Sequence, residues 1–283
     1  MDSGPRRVWQ AIEPLHAIVY FAPEPAEAAT AVGLRGWWMG YFAGRVAPLG
    51  PVGPEAVAAV TYGFAPAMVA RAIPDAWSLA SPADVIATRL AAVAVALERR
   101  LDTTGLAALA ELADVLGDAI GGCRYEGRPL AAAWSAVPRP ASAAAAAWLG
   151  TAVLREQRGD GHVIAAVAAG LSGLEAAITH VATGATTRAS IQPSRGWTDA
   201  DWEGAEASLR TRGLLAADGT LTGDGASLRH RVESMTDDLA MGPVERIGAA
   251  GVDRIVSLAA PVSRHLIDTG VIPVPNPIGV GRP

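Results

Sequence analysis

The sequence contains no lysine and a single cysteine, and aromatic residues make up only 5% of its 283 positions. Without a second cysteine the chain cannot form an internal disulfide, and without lysine it cannot carry the phosphate-binding loop GxxxxGKS/T. Charged residues account for only 18% of the chain and hydrophobic residues for 51%, which excludes intrinsic disorder. No run of about 18 consecutive apolar residues is free of charge, so we predict no membrane-spanning helix.

The opening segment, MDSGPRRVWQAIEP, lacks the long apolar stretch that precedes a signal-peptide cleavage site. The mean hydropathy is +0.26, and alanine supplies most of it. We therefore expect a cytoplasmic globular protein. Its length fits one large domain or two small ones.

Acidic residues outnumber basic ones. There are 28 aspartates and glutamates against 23 basic residues, all arginine, and the net charge is −5. Proteins that dock on DNA usually present a surplus of basic residues to the phosphates. A DNA-binding role for this chain therefore depends on a local basic patch.

The two halves of the chain carry a faint internal repeat. Each copy begins with a tryptophan two residues before a glycine, and an arginine follows five residues after that glycine. A Gly-rich break comes next, and then a second tryptophan and a helix start with a capping box. The alternative is that alanine-rich sequence aligns with itself by composition alone. The paired positions are Trp38 and Trp148, Gly40 and Gly150, Arg45 and Arg155, Trp77 and Trp197, Ser81 and Thr198, with the second break at GDGH (159–162).

The second copy has the order of a winged helix-turn-helix. A helix begins at the Thr198 cap and stops at Gly213, a short hairpin follows with Asp218-Gly219 at its tip, and a new helix starts near Ala226. With its RGLL, DG and LTGDG segments, the region 163–240 resembles a MarR-type winged helix. The whole chain resembles an actinobacterial helix-turn-helix family through HAIVYFAPE, GLRGWWMGYFAGRVAPLG, LREQRGDGHV, RGWTDADW and PNPIG. This resemblance implies no established activity.

We therefore predict a mainly α fold built from tandem, pseudo-symmetric winged helix-turn-helix-like halves with one or two small β-wings. The predicted halves are residues 1–125 and 126–283, the second with an extended tail. The helix that would read DNA begins Thr198-Asp199-Ala200-Asp201-Trp202-Glu203. Its carboxylates suit a helix N-terminus, but they would oppose DNA phosphates. We expect no DNA binding by this helix.

Two polar segments could carry chemistry. His16 lies in EPLHAIVYFAPE and is either a core histidine with a hydrogen-bond partner or a ligand contact, axial ligand or general base. The segment REQRGDGH holds Arg155, Arg158 and His162. Its glycines permit a tight turn that would gather these side chains into one cluster. That cluster is either a set of surface charge pairs at a helix end or an arginine clamp for an anion, with His162 as acid, base or ligand.

An aromatic strip precedes Arg45. Trp38, Tyr41, Phe42 and Arg45 fall on one helical face, and Trp37 stands beside it. The strip is either a packed interhelical core or the wall of a pocket for a flat, apolar ligand whose charged end meets Arg45. No two histidines have metal-ligand spacing, so we predict no metal site.

The sequence thus favours a winged-helix scaffold that does not bind DNA. An internal aromatic- and arginine-lined pocket would bind a largely apolar small molecule or cofactor, and catalysis on it is left open. Haem is one candidate, because histidine ligates its iron and arginine pairs with its propionates. The alternative is a ligand-responsive, MarR-like transcription regulator that binds DNA as a dimer through Arg188, Arg195, Arg210 and Arg212. A structural or partner-binding module is a third possibility, and the chain is expected to be a monomer or a homodimer.

Overall fold

A computed structural model describes residues 4–276 and 278–283. Over these residues the chain forms fifteen α-helices, one 3-10 helix and no extended strand, which confirms the mainly α prediction. The helices are α1 (Gly4–Phe21), α2 (Pro23–Ala31), α3 (Gly36–Val46), a 3-10 turn (Ala47–Leu49), α4 (Pro54–Val60), α5 (Pro66–Ala70), α6 (Ala76–Leu79), α7 (Pro82–Glu98), α8 (Thr103–Ile120), α9 (Pro129–Ser135), α10 (Ala143–Ala168), α11 (Gly173–Val181), α12 (Arg188–Arg195), α13 (Asp199–Thr211), α14 (Gly223–Leu239) and α15 (Met241–Asp268).

Helix α10 is the central element. It has 26 residues, which corresponds to about 39 Å of helix, and it packs against α1, α7, α8, α9 and α14. Alanine, the best helix former, dominates its first turns, and the hydroxyl of Ser142 caps it by accepting the Ala145 N–H. Trp148, fully buried in its first half, anchors α10 in the main core.

The predicted break at GDGH (159–162) is wrong. Helix α10 runs through it without interruption, and neither Gly159 nor Gly161 has the positive φ that a tight turn requires. Packing outweighs the weak helix propensity of glycine: a Cβ at Gly161 would lie 3.3 Å from the Leu239 Cβ of α14. The buried Asp160 carboxylate also accepts the backbone N–H of Ala131 at 3.0 Å, which ties α9 to α10.

The larger hydrophobic core lies between α1, α3, α7, α8, α15 and the first half of α10. Phe42, Trp148, Leu112 and Ile255 are fully buried in it. Helix α15 returns from the C-terminal part of the chain to pack on α1 and α8. It bends at Gly248, whose φ is +64°, and it is fastened to α1 by a Ser263 hydroxyl that donates to the Ala11 carbonyl at 2.7 Å.

A smaller core lies between the end of α10 and helices α11 to α14. Trp202 and Leu209 of α13 are buried in it, and Leu215 and Leu221 form an isolated antiparallel bridge beside it. Its buried residues span 165–232, whereas those of the larger core span 8–154 and 252–280. The two cores thus divide the chain differently from the predicted halves at 1–125 and 126–283.

The predicted helix boundaries around α13 are confirmed. Thr198 and Asp201 form a reciprocal capping box, and the helix ends just before Gly213, whose φ is +68°. At α7, the Ser81 hydroxyl accepts the Asp84 N–H as predicted. The Asp84 carboxylate bonds that hydroxyl rather than the Ser81 backbone, so only the first half of the box forms.

None of the described helices is by itself long and apolar enough to cross a membrane. Helices α10 and α11 pass the length and hydropathy criteria only as a pair, and the pair is bent by 97°. Most of α10 is buried inside the fold.

Candidate functional site: a cleft beside a buried charge cluster

The aromatic strip of α3 divides between a cleft and the core. The Trp37 and Tyr41 rings stack at 5.3 Å with an interplanar angle of 17°, and both line the cleft. Trp37 is 46% exposed. Trp38 and Phe42 instead pack on Phe64, with ring centroids 5.9 and 5.1 Å away. Two of the four predicted wall residues therefore face the cleft, and the other two support them from behind.

The cleft opens between α1, α2, α3 and α7. Its enclosed volume is about 150 Å³, and the volume with the open mouth included is about 750 Å³. A cavity of about 150 Å³ accommodates one aromatic ring, so the rest of a larger ligand would lie in the mouth. Apart from two tyrosines, two threonines and one arginine, its lining is apolar or glycine. The lining residues are Val19, Tyr20, Pro25, Ala26, Ala29, Thr30, Val32, Leu34, Gly36, Trp37, Gly40, Tyr41, Gly44, Val85, Thr88 and Arg89.

A cluster of buried charges lies beside the cleft. Arg45 donates two hydrogen bonds to Glu156, at 2.9 and 2.8 Å. Arg155 donates to Glu13 at 2.9 Å and to the first Glu156 oxygen at 3.2 Å. Although burial disfavours the charged forms, Arg45 holds the pKa of Glu156 below its ordinary value. Both predicted arginines are therefore satisfied by carboxylates of the protein itself.

Arg89 of α7 is the exception. None of the described carboxylates pairs with it, and its buried Nε has no hydrogen-bond partner. Its guanidinium lies 5.4 Å from the Trp148 ring and 5.8 Å from the Tyr20 ring. Burial lowers the pKa of Arg89 from its ordinary value. The cleft therefore contains one arginine that forms no ion pair with any carboxylate of the described chain.

His16 is held in a single tautomer behind Tyr20. The Thr151 hydroxyl donates to the Trp148 carbonyl at 2.7 Å, so at 3.5 Å it can only accept from His16 Nδ1. His16 Nε2 then accepts from the Tyr20 hydroxyl at 3.3 Å. Burial, followed by the charges of Arg155, Arg89 and Arg45, holds the pKa of His16 well below its ordinary value. The ring is neutral at pH 7.

His162 and Arg158 lie in a different place. Further along α10 they face α14, where Arg158 pairs with Asp237 at 2.8 Å and His162 Nδ1 lies 3.1 Å from the Thr236 hydroxyl. Burial lowers the pKa of His162 to about 4. The predicted single cluster of Arg155, Arg158 and His162 is wrong, because a continuous helix directs these side chains to different neighbours.

The surroundings of the two histidines bear on the haem hypothesis. Both ring nitrogens of His16 lie next to hydroxyl groups, and His162 contacts α14 instead of the cleft. Neither geometry offers a ring nitrogen to an iron atom in the cleft, so haem stays a prediction from residue types alone.

Sequence reasoning missed Arg89 and Glu13. Arg89 is the only charged side chain between Asp84 and Glu98 in an otherwise apolar helix, a pattern that indicates a buried or snorkelling arginine. Glu13 precedes Pro14 in a helix with buried residues on every side, and it gives no comparable signal. Its partner, Arg155, is 142 residues away, so only the tertiary fold reveals the pair.

The outer face of α13 is acidic. The side chains of Asp199, Asp201 and Glu203 in its first two turns are exposed, whereas Trp202 and Leu209 point into the smaller core. The acidic side chains of α13 therefore point outward and its apolar side chains inward.

The structure defines a mainly α-helical protein with an open cleft beside its larger core. A model of the helix-turn-helix family matches residues 5–273, and the chain belongs to this family. No curated protein and no solved structure matches it. The actinobacterial origin and the MarR-like character of the C-terminal half stay predictions.

Proposed function

We propose that this protein binds a small amphipathic molecule in the cleft between α1, α2, α3 and α7. The open, largely apolar cleft with Trp37 at its mouth is the observation that carries the proposal. Among the tryptophans, all of which lie within the described residues, Trp37 has the most exposed side chain. A flat ligand stacked on it would remove apolar surface from water, which is worth roughly 25 cal/mol per Å².

The walls of the cleft support binding without large rearrangement. Tyr41 backs the Trp37 ring, and Tyr41 is itself held by the Arg45 guanidinium, which donates to its hydroxyl at 3.4 Å. The paired charges behind these rings fix Arg45 through Glu156. Side chains that their neighbours already hold in place lose little conformational entropy when a ligand binds.

A further part of the proposal is that the chain does not read DNA through α13. The exposed Asp199, Asp201 and Glu203 would face phosphates. The arginines of the regulator hypothesis are also engaged within the fold. Three pair with carboxylates and one covers an aromatic ring: Arg188 with Asp199 (2.6 Å), Arg210 with Glu206 (3.0 Å), Arg212 with Glu175 (3.1 Å), and Arg195 over Phe64 (4.5 Å).

The MarR-like regulator remains the second candidate function. Family membership, the order of α11, α12 and α13, and the bridge between Leu215 and Leu221 support a winged-helix-like unit in this region. At the second tryptophan of each proposed copy, the Trp77 indole N–H donates to the Val52 carbonyl and the Trp197 indole N–H donates to the Gly63 carbonyl, both at 2.9 Å. Both acceptors lie in the first copy, so the repeat stays a prediction.

The test of cleft binding uses the neutral fluorophore N-phenyl-1-naphthylamine, titrated into the protein while probe and tryptophan emission are recorded. We expect saturable enhancement with quenching of Trp37. Ala26→Trp, which fills the cleft, should abolish the enhancement. Ala83→Trp, an exposed alanine of α7 outside the cleft, should not. Absence of saturable binding, or equal binding by both variants, contradicts the proposal.

The test of the DNA hypothesis is fluorescence anisotropy with a random duplex at low and moderate salt. The proposal expects no binding even at low salt. Binding with a steep inverse dependence on salt concentration would indicate phosphate contacts, and it would make the regulator the better reading.

A further inference from the structure

We propose that the molecule bound in the cleft is a monocarboxylate with an apolar, aromatic or aliphatic body, and that Arg89 pairs with its carboxylate. This inference rests on the proposed cleft-binding function and names the chemical class of the ligand.

Charge counting in the cluster leaves one positive charge unbalanced. Three guanidinium groups, Arg45, Arg89 and Arg155, face two carboxylates, Glu13 and Glu156, and the nearby Arg195 and Asp160 add one charge of each sign. Arg45 and Arg155 take both Glu156 oxygens and one Glu13 oxygen. A single negative charge brought in by a ligand would make this buried cluster neutral. Low-dielectric surroundings favour such pairing strongly.

A glycine of α3 allows the Arg89 guanidinium to lie where it does. A Cβ atom at Gly44 would overlap Nη1 of Arg89, so glycine at this position of α3 leaves the space that the guanidinium occupies. Val85, one turn earlier on α7, also lines the cleft. The charged end is held by the Tyr20 and Trp148 rings, not by hydrogen-bond acceptors.

None of the described carboxylates lies within ion-pair distance of Arg89, although Glu13 and Glu24 each keep one buried oxygen without a hydrogen-bond partner. Glu24, at the start of α2 next to the cleft, accepts from Arg100 at 2.9 Å and from Arg99 at 3.3 Å, and these arginines lower its pKa despite its burial. Glu156 is close enough to attract Arg89 electrostatically, but its oxygens are already bonded. Because Arg89 lines the cleft, a carboxylate that enters the cleft is the partner we expect for it.

The chemistry of the cleft selects a carboxylate. The planar guanidinium fork matches a carboxylate in a bidentate arrangement. A dianionic phosphate would need a second cation or a set of N–H donors, and the described lining supplies a single guanidinium. The remaining lining suits a hydrocarbon body, with Trp37 and Tyr41 available for stacking. The expected ligand has one acidic end and one apolar end.

The test compares two probes of the same shape, 1-naphthoate and 1-naphthamide, by calorimetry and by quenching of Trp37. We expect the native protein to prefer the carboxylate by at least about tenfold, as charged hydrogen bonds in partly buried sites do. Arg89→Met should remove this preference and leave the amide affinity within about threefold. The exposed Arg71→Met should retain the preference.

A second variant guards against misfolding of the first. Gly44→Ala keeps every charge but displaces the Arg89 guanidinium, so it should also reduce the preference for naphthoate. Equal binding of both probes by the native protein, or a preference that survives in Arg89→Met, overturns this inference while cleft binding stands. If N-phenyl-1-naphthylamine and both naphthyl probes fail to bind, the proposed function itself has failed.

Discussion

Single charged residues in the larger core have very different roles, and Glu156 has the most contacts with other charges. It lies on α10, 2% exposed, and it accepts hydrogen bonds from Arg45 of α3 and Arg155 of its own helix. Removing a buried carboxylate from such a group leaves guanidinium groups without partners, and that cost exceeds the value of the pair itself.

Glu156→Gln should therefore lower the free energy of unfolding by about 3 to 5 kcal/mol, measured by urea denaturation. Glu111→Gln provides the matched control. Glu111 pairs with Arg254 on the surface, and both side chains are about half exposed, so that change should cost no more than about 1 kcal/mol. Similar losses in the two variants would show that burial does not govern the Glu156 pair.

Arg89 leads to the opposite expectation for the ligand-free protein. Its charge is buried without a carboxylate in ion-pair contact, and its close neighbours are two aromatic rings. Arg89→Met should leave stability unchanged or raise it by about 1 kcal/mol, because the lost cation–π contacts roughly balance the relieved desolvation. Thermal unfolding without ligand measures this. A loss above about 2 kcal/mol would mean that Arg89 holds the core together and is not kept for a ligand.

At the scale of elements, two of the three glycines of α10 have opposite surroundings. A Cβ added to Gly150 would lie 2.8 Å from the Leu116 Cβ of α8, whereas one added to Gly159 would meet nothing nearer than 3.6 Å. The first glycine allows α8 and α10 to approach closely. The second makes no such contact and only weakens the helix.

Gly150→Ala should therefore destabilise the protein by about 1 to 3 kcal/mol through overpacking. Gly159→Ala should stabilise it by about 0.5 to 1 kcal/mol through helix propensity. Both are measured by urea denaturation. Destabilisation by Gly159→Ala would indicate that this segment forms a turn with positive φ, as the sequence alone predicts, and not a continuous helix.

Sequence signals that depend on contacts within a few residues predict the helix boundaries well. The capping box at Thr198 and the stop at Gly213 depend on contacts over one turn, and both are present. The sequence predicts a turn at the GDG segment of α10 because glycine weakens a helix locally. Packing against Leu239, 78 residues further along the chain, keeps it helical. Sequence periodicity carries no information about such a contact.

The candidate site was partly predictable for the same reason. The periodicity of α3 placed Tyr41 and Arg45 on one face, and the structure keeps them in hydrogen-bond contact. The partners of the arginines were out of reach, because Glu156 lies 111 residues from Arg45. Arg89 gained its importance only when those pairings left it without a carboxylate.

For the whole molecule, the stability of the fold depends on pH through buried groups whose pKa values are shifted in opposite directions. Burial lowers the pKa values of His16, His162 and His180. Burial also raises the pKa of Asp160 to about 6. The histidines make the folded state lose stability as the pH falls below about 6.5. Asp160 makes it gain stability over the window from about 6 down to about 4, because it binds a proton more readily when folded.

His162 allows the histidine contribution to be isolated. Its pKa is about 4 in the folded protein and about 6.5 when unfolded, so between these values the unfolded chain binds a proton that the native state does not. The resulting stability is complete above pH 6.5 and is lost as the pH falls to 4, amounting to about 2 to 3 kcal/mol.

His162→Asn retains a donor for Thr236 and should flatten the fall in unfolding free energy between pH 7 and 4.5, measured by urea denaturation. His230→Asn, at an exposed position, should leave that slope unchanged. An unaltered slope in His162→Asn would mean that this histidine is protonated in the folded protein, contrary to its buried position between α10 and α14.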